Sequence, residues 1–220
     1  MERRTKLLIY GFGQVVILLA AGVCYRLTPE KTSAGPSLGA QAIIAGVERE
    51  VEGAATAADL APLVVRLGDA GAAPQAQALL ERMTLQGGNA ADLLSLRAIL
   101  ELFGARDATS TIAKVTHVQA SLELIDEAVA ADPERFAPHY NRLVVHAKLP
   151  SAFASPEAVA ADVTYFLTAF NRQLVLIRAD GRVGPVTVEE LVGVKDLASM
   201  VLDSADEEMR ALDAATRKAD

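Results

Sequence analysis

The chain has no tryptophan, a single cysteine (Cys24), and only 5% aromatic residues. One cysteine excludes an intrachain disulfide, a CxxC metal knuckle and a dithiol redox pair. Scarce aromatics and few alternating β-branched residues disfavour strands and any platform for stacking bases, whereas abundant alanine favours closely packed helices. Concentrated basic charge is missing too. The formal net charge is -7, and the first thirty residues hold Arg3, Arg4, Lys6 and Arg26 against Glu2 and Glu30, so the remainder stands at about -9. With no Lys/Arg cluster to displace counterions from phosphates, no nucleic-acid partner is expected.

Signatures of catalysis are absent as well. No serine lies in GxSxG, and no glycine-rich loop has the P-loop pattern. His139 and His146 are spaced to share a helix face and His117 stands apart, but no HExxH or Cys/His set completes a ligand group. No metal and no cofactor are expected. The acidic runs Glu189-Glu190 and Asp206-Glu207-Glu208 read as solvated helix surface rather than as general acids. The expectation is a protein that binds rather than an enzyme.

What the sequence does contain begins with LLIYGFGQVVILLAAGVCY, the 19 uncharged residues from Leu7 to Tyr25. As a helix this segment extends about 28 Å, the thickness of a bilayer core. Gln14 is its one strongly polar side chain, and Gly11 and Gly13 are tolerated in membrane helices. The basic residues before it place the N-terminus in the cytoplasm and the C-terminal domain in the periplasm or another extracytoplasmic space. The segment is expected to be an uncleaved signal anchor, with the lipid bilayer as the partner of residues 7–25. Two alternatives stay open: cleavage near Ala20-Ala21-Gly22, and lipidation at Cys24, where Val23 occupies the place a lipobox gives to a small residue.

Thr28 to Leu38, TPEKTSAGPSL, lacks apolar periodicity and reads as a flexible tether. The expected division is therefore residues 1–27 as cytoplasmic tip and span, 28–39 as tether, and 40–220 as a helical domain. Within that domain apolar residues recur at helical spacing between Gly, Pro, Asn and Asp signals. These predict helices over about 40–52, 57–68, 73–86, 89–103, 107–131, 135–148 and 156–170. The apolar run of the fourth stops at Gly104, and Asn89 and Ser155-Pro156 supply N-terminal signals. Thr187-Val-Glu-Glu190 fits a capping box opening a terminal helix that runs to about Lys218.

One stretch is more specific. In LIDEAVAADPERFAPHYNRLVVHA, from Leu124 to Ala147, together with Ser121 just before it, a small residue (Ser121), a bulky one (Ile125), an alanine (Ala128) and a proline (Pro133) are followed by His139-Tyr140-Asn141. This resembles the junction between two tetratricopeptide repeats. The resemblance implies an all-α, superhelical stack of three helical pairs, about 57–86, 89–131 and 135–178, closed by the terminal helix. It also implies a concave face lined by the first helix of each pair that holds a protein partner, with Arg97, Glu101, Asn141, Arg142 and Val145 as candidate contacts. The expected function is a membrane-anchored adaptor or chaperone-like scaffold for a protein of an envelope complex. Separately, Ala179-Asp-Gly-Arg-Val-Gly-Pro-Val-Thr187 resembles the loop of peptidoglycan-binding modules, which implies peptidoglycan as an alternative ligand of Asp180–Thr187.

Overall fold

The structure, a computed structural model, describes residues 38–53, 57–177 and 183–217. The expected membrane span at 7–25 and Cys24 lie outside the described residues, as do most of the tether and Asp180. No helix among the described residues is long and apolar enough to cross a membrane.

The described residues are mostly helical. In chain order the elements are α1 (Leu38–Gly53), α2 (Ala57–Asp69), α3 (Ala73–Leu85), α4 (Ala90–Asp107), α5 (Thr111–Ala131), α6 (Phe136–Lys148) and α7 (Pro156–Asn171). A short antiparallel hairpin of β1 (Val175–Ile177) and β2 (Val183–Pro185) follows, then α8 (Val188–Ala198) and α9 (Glu207–Arg217). Side chains that satisfy orphan N–H groups set the helix starts. Asn89 Oδ1 accepts from Ala91 and Asp92, Ser110 Oγ from Ala113, and Ser155 Oγ from Ala158 ahead of Pro156. The capping box at α8 is complete: Thr187 Oγ1 accepts from the Glu190 N–H at 3.2 Å, and Glu190 accepts from the Thr187 N–H at 2.8 Å.

The helices pair as successive hairpins, α2 with α3, α4 with α5, α6 with α7, and α8 with α9. The first member of each pair also packs on the next first member, so α2, α4, α6 and α8 form a continuous row. Small residues permit the close approach of α4 to α5: Ala98, Ala105, Ser121 and Ala128 are fully buried, and Ser121 Oγ donates to the Ala98 carbonyl at 2.7 Å. Three adjoining apolar cores result. One gathers Leu60, Val64 and Leu80, the second Ile99, Val118, Ile125 and Val145, and the third Leu143, Phe166, Leu191 and Leu212.

Three expectations need correction. Helix α4 does not stop at Gly104 but continues to Asp107. A Cβ at Gly104 would lie 2.9 Å from His117 Nδ1, so this glycine marks helix–helix contact rather than a helix end. The expected terminal helix is two, α8 and α9, divided by a turn in which Asp206 accepts the Asp203 N–H and Asp203 accepts the Ala205 N–H. The third helical pair, expected to reach about 178, ends at Asn171, and Leu174–Ile177 leads into the hairpin instead, so the described domain is helical with one two-stranded ribbon.

The glycines provide a paired test of this packing. A Cβ at Gly68 would meet Phe103 Cδ2 at 2.5 Å and Leu100 Cδ2 at 2.9 Å, displacing a ring that also lies under the Arg106 guanidinium. At Gly46, within α1, a Cβ meets nothing within 4 Å. Urea unfolding of the full-length chain should show Gly68→Ala losing about 1–3 kcal/mol and Gly46→Ala gaining about 0.5–1 kcal/mol. Equal effects at the two positions would contradict this packing of α2 on α4.

Candidate functional site

The site is built on a buried carboxylate. Asp162 sits on the apolar stripe of α7 with Val159, Val163 and Phe166, and it has no exposed surface. An ion there is tolerated only with full compensation. Arg142 of α6 supplies it by donating through Nε to Oδ2 at 2.9 Å and through a terminal nitrogen to Oδ1 at 2.8 Å. His139, one turn earlier on α6, donates from Nδ1 to Oδ1 at 2.6 Å. Burial works against the Arg142 charge, but hydrogen bonds to Asp162 and its negative charge more than offset this and raise the guanidinium above its ordinary value. A second carboxylate, Asp126 of α5, lies 3.3 Å from the same guanidinium on the solvent side.

This network reaches the turn between α5 and α6. The second nitrogen of His139 meets the Pro133 carbonyl at 2.9 Å, and a carbonyl only accepts, so that nitrogen is the donor. Tyr165 of α7 stacks on the His139 ring with centroids 3.8 Å apart and donates its hydroxyl to the Glu134 carbonyl at 2.8 Å. Arg135 forms a two-pronged pair with Asp92 of α4, at 2.7 and 2.6 Å, and hydrogen bonding to Asp92 raises the Arg135 guanidinium above its ordinary value. Three consecutive residues of one turn are thus held from three directions.

The turn forms one wall of a groove of about 380 Å³. Asp132, Glu134, Arg135 and Tyr165 line that side, and Leu174, Val175, Leu176 and Ile177 line the other. The hairpin is sided: Leu176 is buried, whereas Val175 and Val183 are 62% and 61% exposed and Ile177 is also exposed. The register sets Ile177 opposite Val183 and Val175 opposite Pro185, so the outward face of the ribbon is apolar throughout.

The residues picked from the sequence fall differently. Val145 is fully buried in the core between α4 and α6. Asn141 donates to Ser95 Oγ at 2.9 Å, tying α6 to α4, and Arg142 is committed to Asp162 and Asp126. Glu101 accepts from His117 at 2.6 Å, while Arg97 is exposed. Val145 thus offers no surface to a partner and Asn141 and Arg142 are bonded within the fold, while Arg97 and Glu101 lie one turn apart on α4. His146 is buried and accepts the Ser155 N–H at its Nδ1, and no cluster of three or more His, Cys, Asp or Glu side chains among the described residues is placed to hold a metal. Thr187 spends its hydroxyl oxygen on the α8 capping box.

Asp162, Asp92 and Tyr165 were not anticipated, although a signal for the first existed. An aspartate at an apolar position of an amphipathic helix requires a partner. The partner lies 20 residues away on another helix, which no local pattern shows. Comparison with family models, with curated proteins and with solved structures finds no match to the chain.

Replacing Asp162 by asparagine removes the buried carboxylate that Arg142 bonds through two nitrogens and leaves that guanidinium only the solvent-side Asp126. Thermal and urea unfolding should show a loss of about 3–5 kcal/mol. Asp126→Asn, at the exposed end of the network, should change stability by less than about 0.5 kcal/mol. Burial also pushes the His146 imidazole below its ordinary value. A depressed value in the folded state means that the unfolded chain takes up the proton first, so stability falls as pH drops below the ordinary histidine range. Unfolding midpoints measured from about pH 7 to about pH 5.5 should decline less steeply in His146→Asn than in the unmodified chain. Parallel slopes would refute a buried neutral His146.

Proposed function

We propose that the chain is a membrane-anchored adaptor in which residues 7–25 hold the bilayer, the tether follows, and the helical domain holds a protein partner on the extracytoplasmic side. On this reading the helical pairs are a degenerate tetratricopeptide-like stack, and the partner belongs to an envelope complex. The work is capture rather than catalysis. The observation that carries the reading is the groove between the clamped 132–135 turn and β1, with a hydrogen-bonded polar wall beside an apolar ribbon that is exposed among the described residues. Exposed apolar surface next to fixed polar groups is characteristic of protein-interaction sites. The row of first helices α2, α4, α6 and α8 supports the stacked-repeat part of the reading. Arg97 remains a surface contact for the partner, whereas Glu101, Asn141, Arg142 and Val145 act by holding the stack.

Photo-reactive residues placed at Glu134, Leu174 and Arg97 of the full-length protein in native membranes test this directly. Leu85, 88% exposed on α3, serves as the distant control. Glu134, Leu174 and Arg97 should yield a common protein adduct that Leu85 does not. Adducts identical at all positions, or none in intact membranes, would contradict the adaptor role. Co-sedimentation with purified peptidoglycan that depends on Asp180 would replace it with the cell-wall reading.

A further inference from the structure

Alternate side chains of a strand point to opposite faces, yet all four consecutive residues Leu174–Ile177 line the groove. The groove therefore runs along the backbone edge of β1, on the side away from β2, which occupies the other edge. A strand with one face in water normally alternates apolar and polar residues. Here Leu176 faces the core while Val175, Ile177 and the cross-strand Val183 are exposed, the composition of a strand covered on both faces. A two-stranded ribbon of three-residue strands is also marginal without a further strand or cover.

The polar side of the groove selects by charge. Of its charged residues, Arg135 is neutralised by the two-pronged bond to Asp92, and Asp132 lies 4.0 Å from that same guanidinium. Asp132 and Glu134 are left as an acidic rim facing β1. We propose that the groove takes an extended segment of a protein partner, which adds as a third strand to β1. The segment carries apolar residues at alternate positions and at least one Lys or Arg for Asp132 and Glu134. This rests on the adaptor reading and names what the adaptor holds. Main-chain hydrogen bonds along the β1 edge, which pairs with no other strand among the described residues, supply affinity, and the two carboxylates discriminate by sign of charge. A bilayer is the competing occupant of the apolar ribbon, but an acidic rim repels anionic headgroups and a groove is not filled by a flat surface.

The test uses the full-length chain and short fluorescent peptides of alternating valine and lysine. Companion peptides carry glutamate for lysine, or N-methyl groups on alternate residues in either register. The lysine peptide should bind by fluorescence anisotropy. N-methylation in the register that faces β1 should weaken it by more than about tenfold through lost main-chain bonds. The glutamate peptide should bind more weakly than the lysine peptide. Asp132→Asn and Glu134→Gln, with unchanged helical circular dichroism, should each weaken the lysine peptide by about three- to fivefold. Equal binding of lysine and glutamate peptides, indifference to N-methylation, or no peptide binding overturns strand addition. So does displacement of the peptide by phosphatidylglycerol vesicles. If groove positions cross-link to a protein partner while every peptide fails to bind, the adaptor role survives and the strand-addition mode is lost.

Discussion

The C-terminal half of the domain is organised around one carboxylate, Asp162, that has no solvent-exposed surface. Burying an ion such as Asp162 costs several kcal/mol, on the order of what a small domain has in total stability. Two hydrogen bonds from Arg142 and one from His139 offset that cost only while α6 and α7 keep one alignment. Apolar contact alone is weakly directional, and surfaces rich in alanine and valine tolerate sliding. Polar ties do not. The same α6 reaches α4 through Asn141 and Ser95, and the turn ahead of it reaches α4 through Arg135 and Asp92. A chain of directional bonds therefore crosses α4, α6 and α7.

The consequence at the surface is an asymmetric groove. Its outer wall, residues 132–135, is held by the Pro133 and Glu134 carbonyls and by the Arg135 side chain, so little ordering remains to be done when a ligand arrives. Its other wall is a two-stranded ribbon with exposed Val175, Ile177 and Val183, and no third strand pairs with it among the described residues. Rigid scaffolds that present short, adaptable segments are the common arrangement for binding sites. Tyr165 joins the two regimes, since its ring stacks on the buried His139 while its flank lines the groove.

The helical architecture was legible because the signals are local. Asn89, Ser155-Pro156 and the Thr187–Glu190 box start helices where they were expected to, and the apolar spacing located α1 to α7 within a few residues. Gly104 misled because a glycine that stops a helix and one that admits a neighbouring ring read alike in sequence; only the proximity of His117 separates them. Leu174–Ile177 is too short for periodicity to separate strand from coil, and its partner β2 lies beyond a loop. The site was less legible still. Position on a first helix singles out Asn141, Arg142 and Val145, but the direction in which each points depends on α4 and α7. The clamps on the 132–135 turn join residues six to 43 positions apart, and such pairings emerge only when the layers stack.

Through His139 and Tyr165, the elements that enclose Asp162 immobilise the groove wall. Hydrogen exchange of the backbone amides, compared between the unmodified chain and Asp162→Asn, measures this most directly. The structure leads to faster exchange across residues 132–136 and the adjoining part of α6, with α3 amides around Leu80 left as protected as before. Uniform acceleration along the whole chain, or unchanged protection at 132–136, would show that the wall is held by something other than the buried carboxylate.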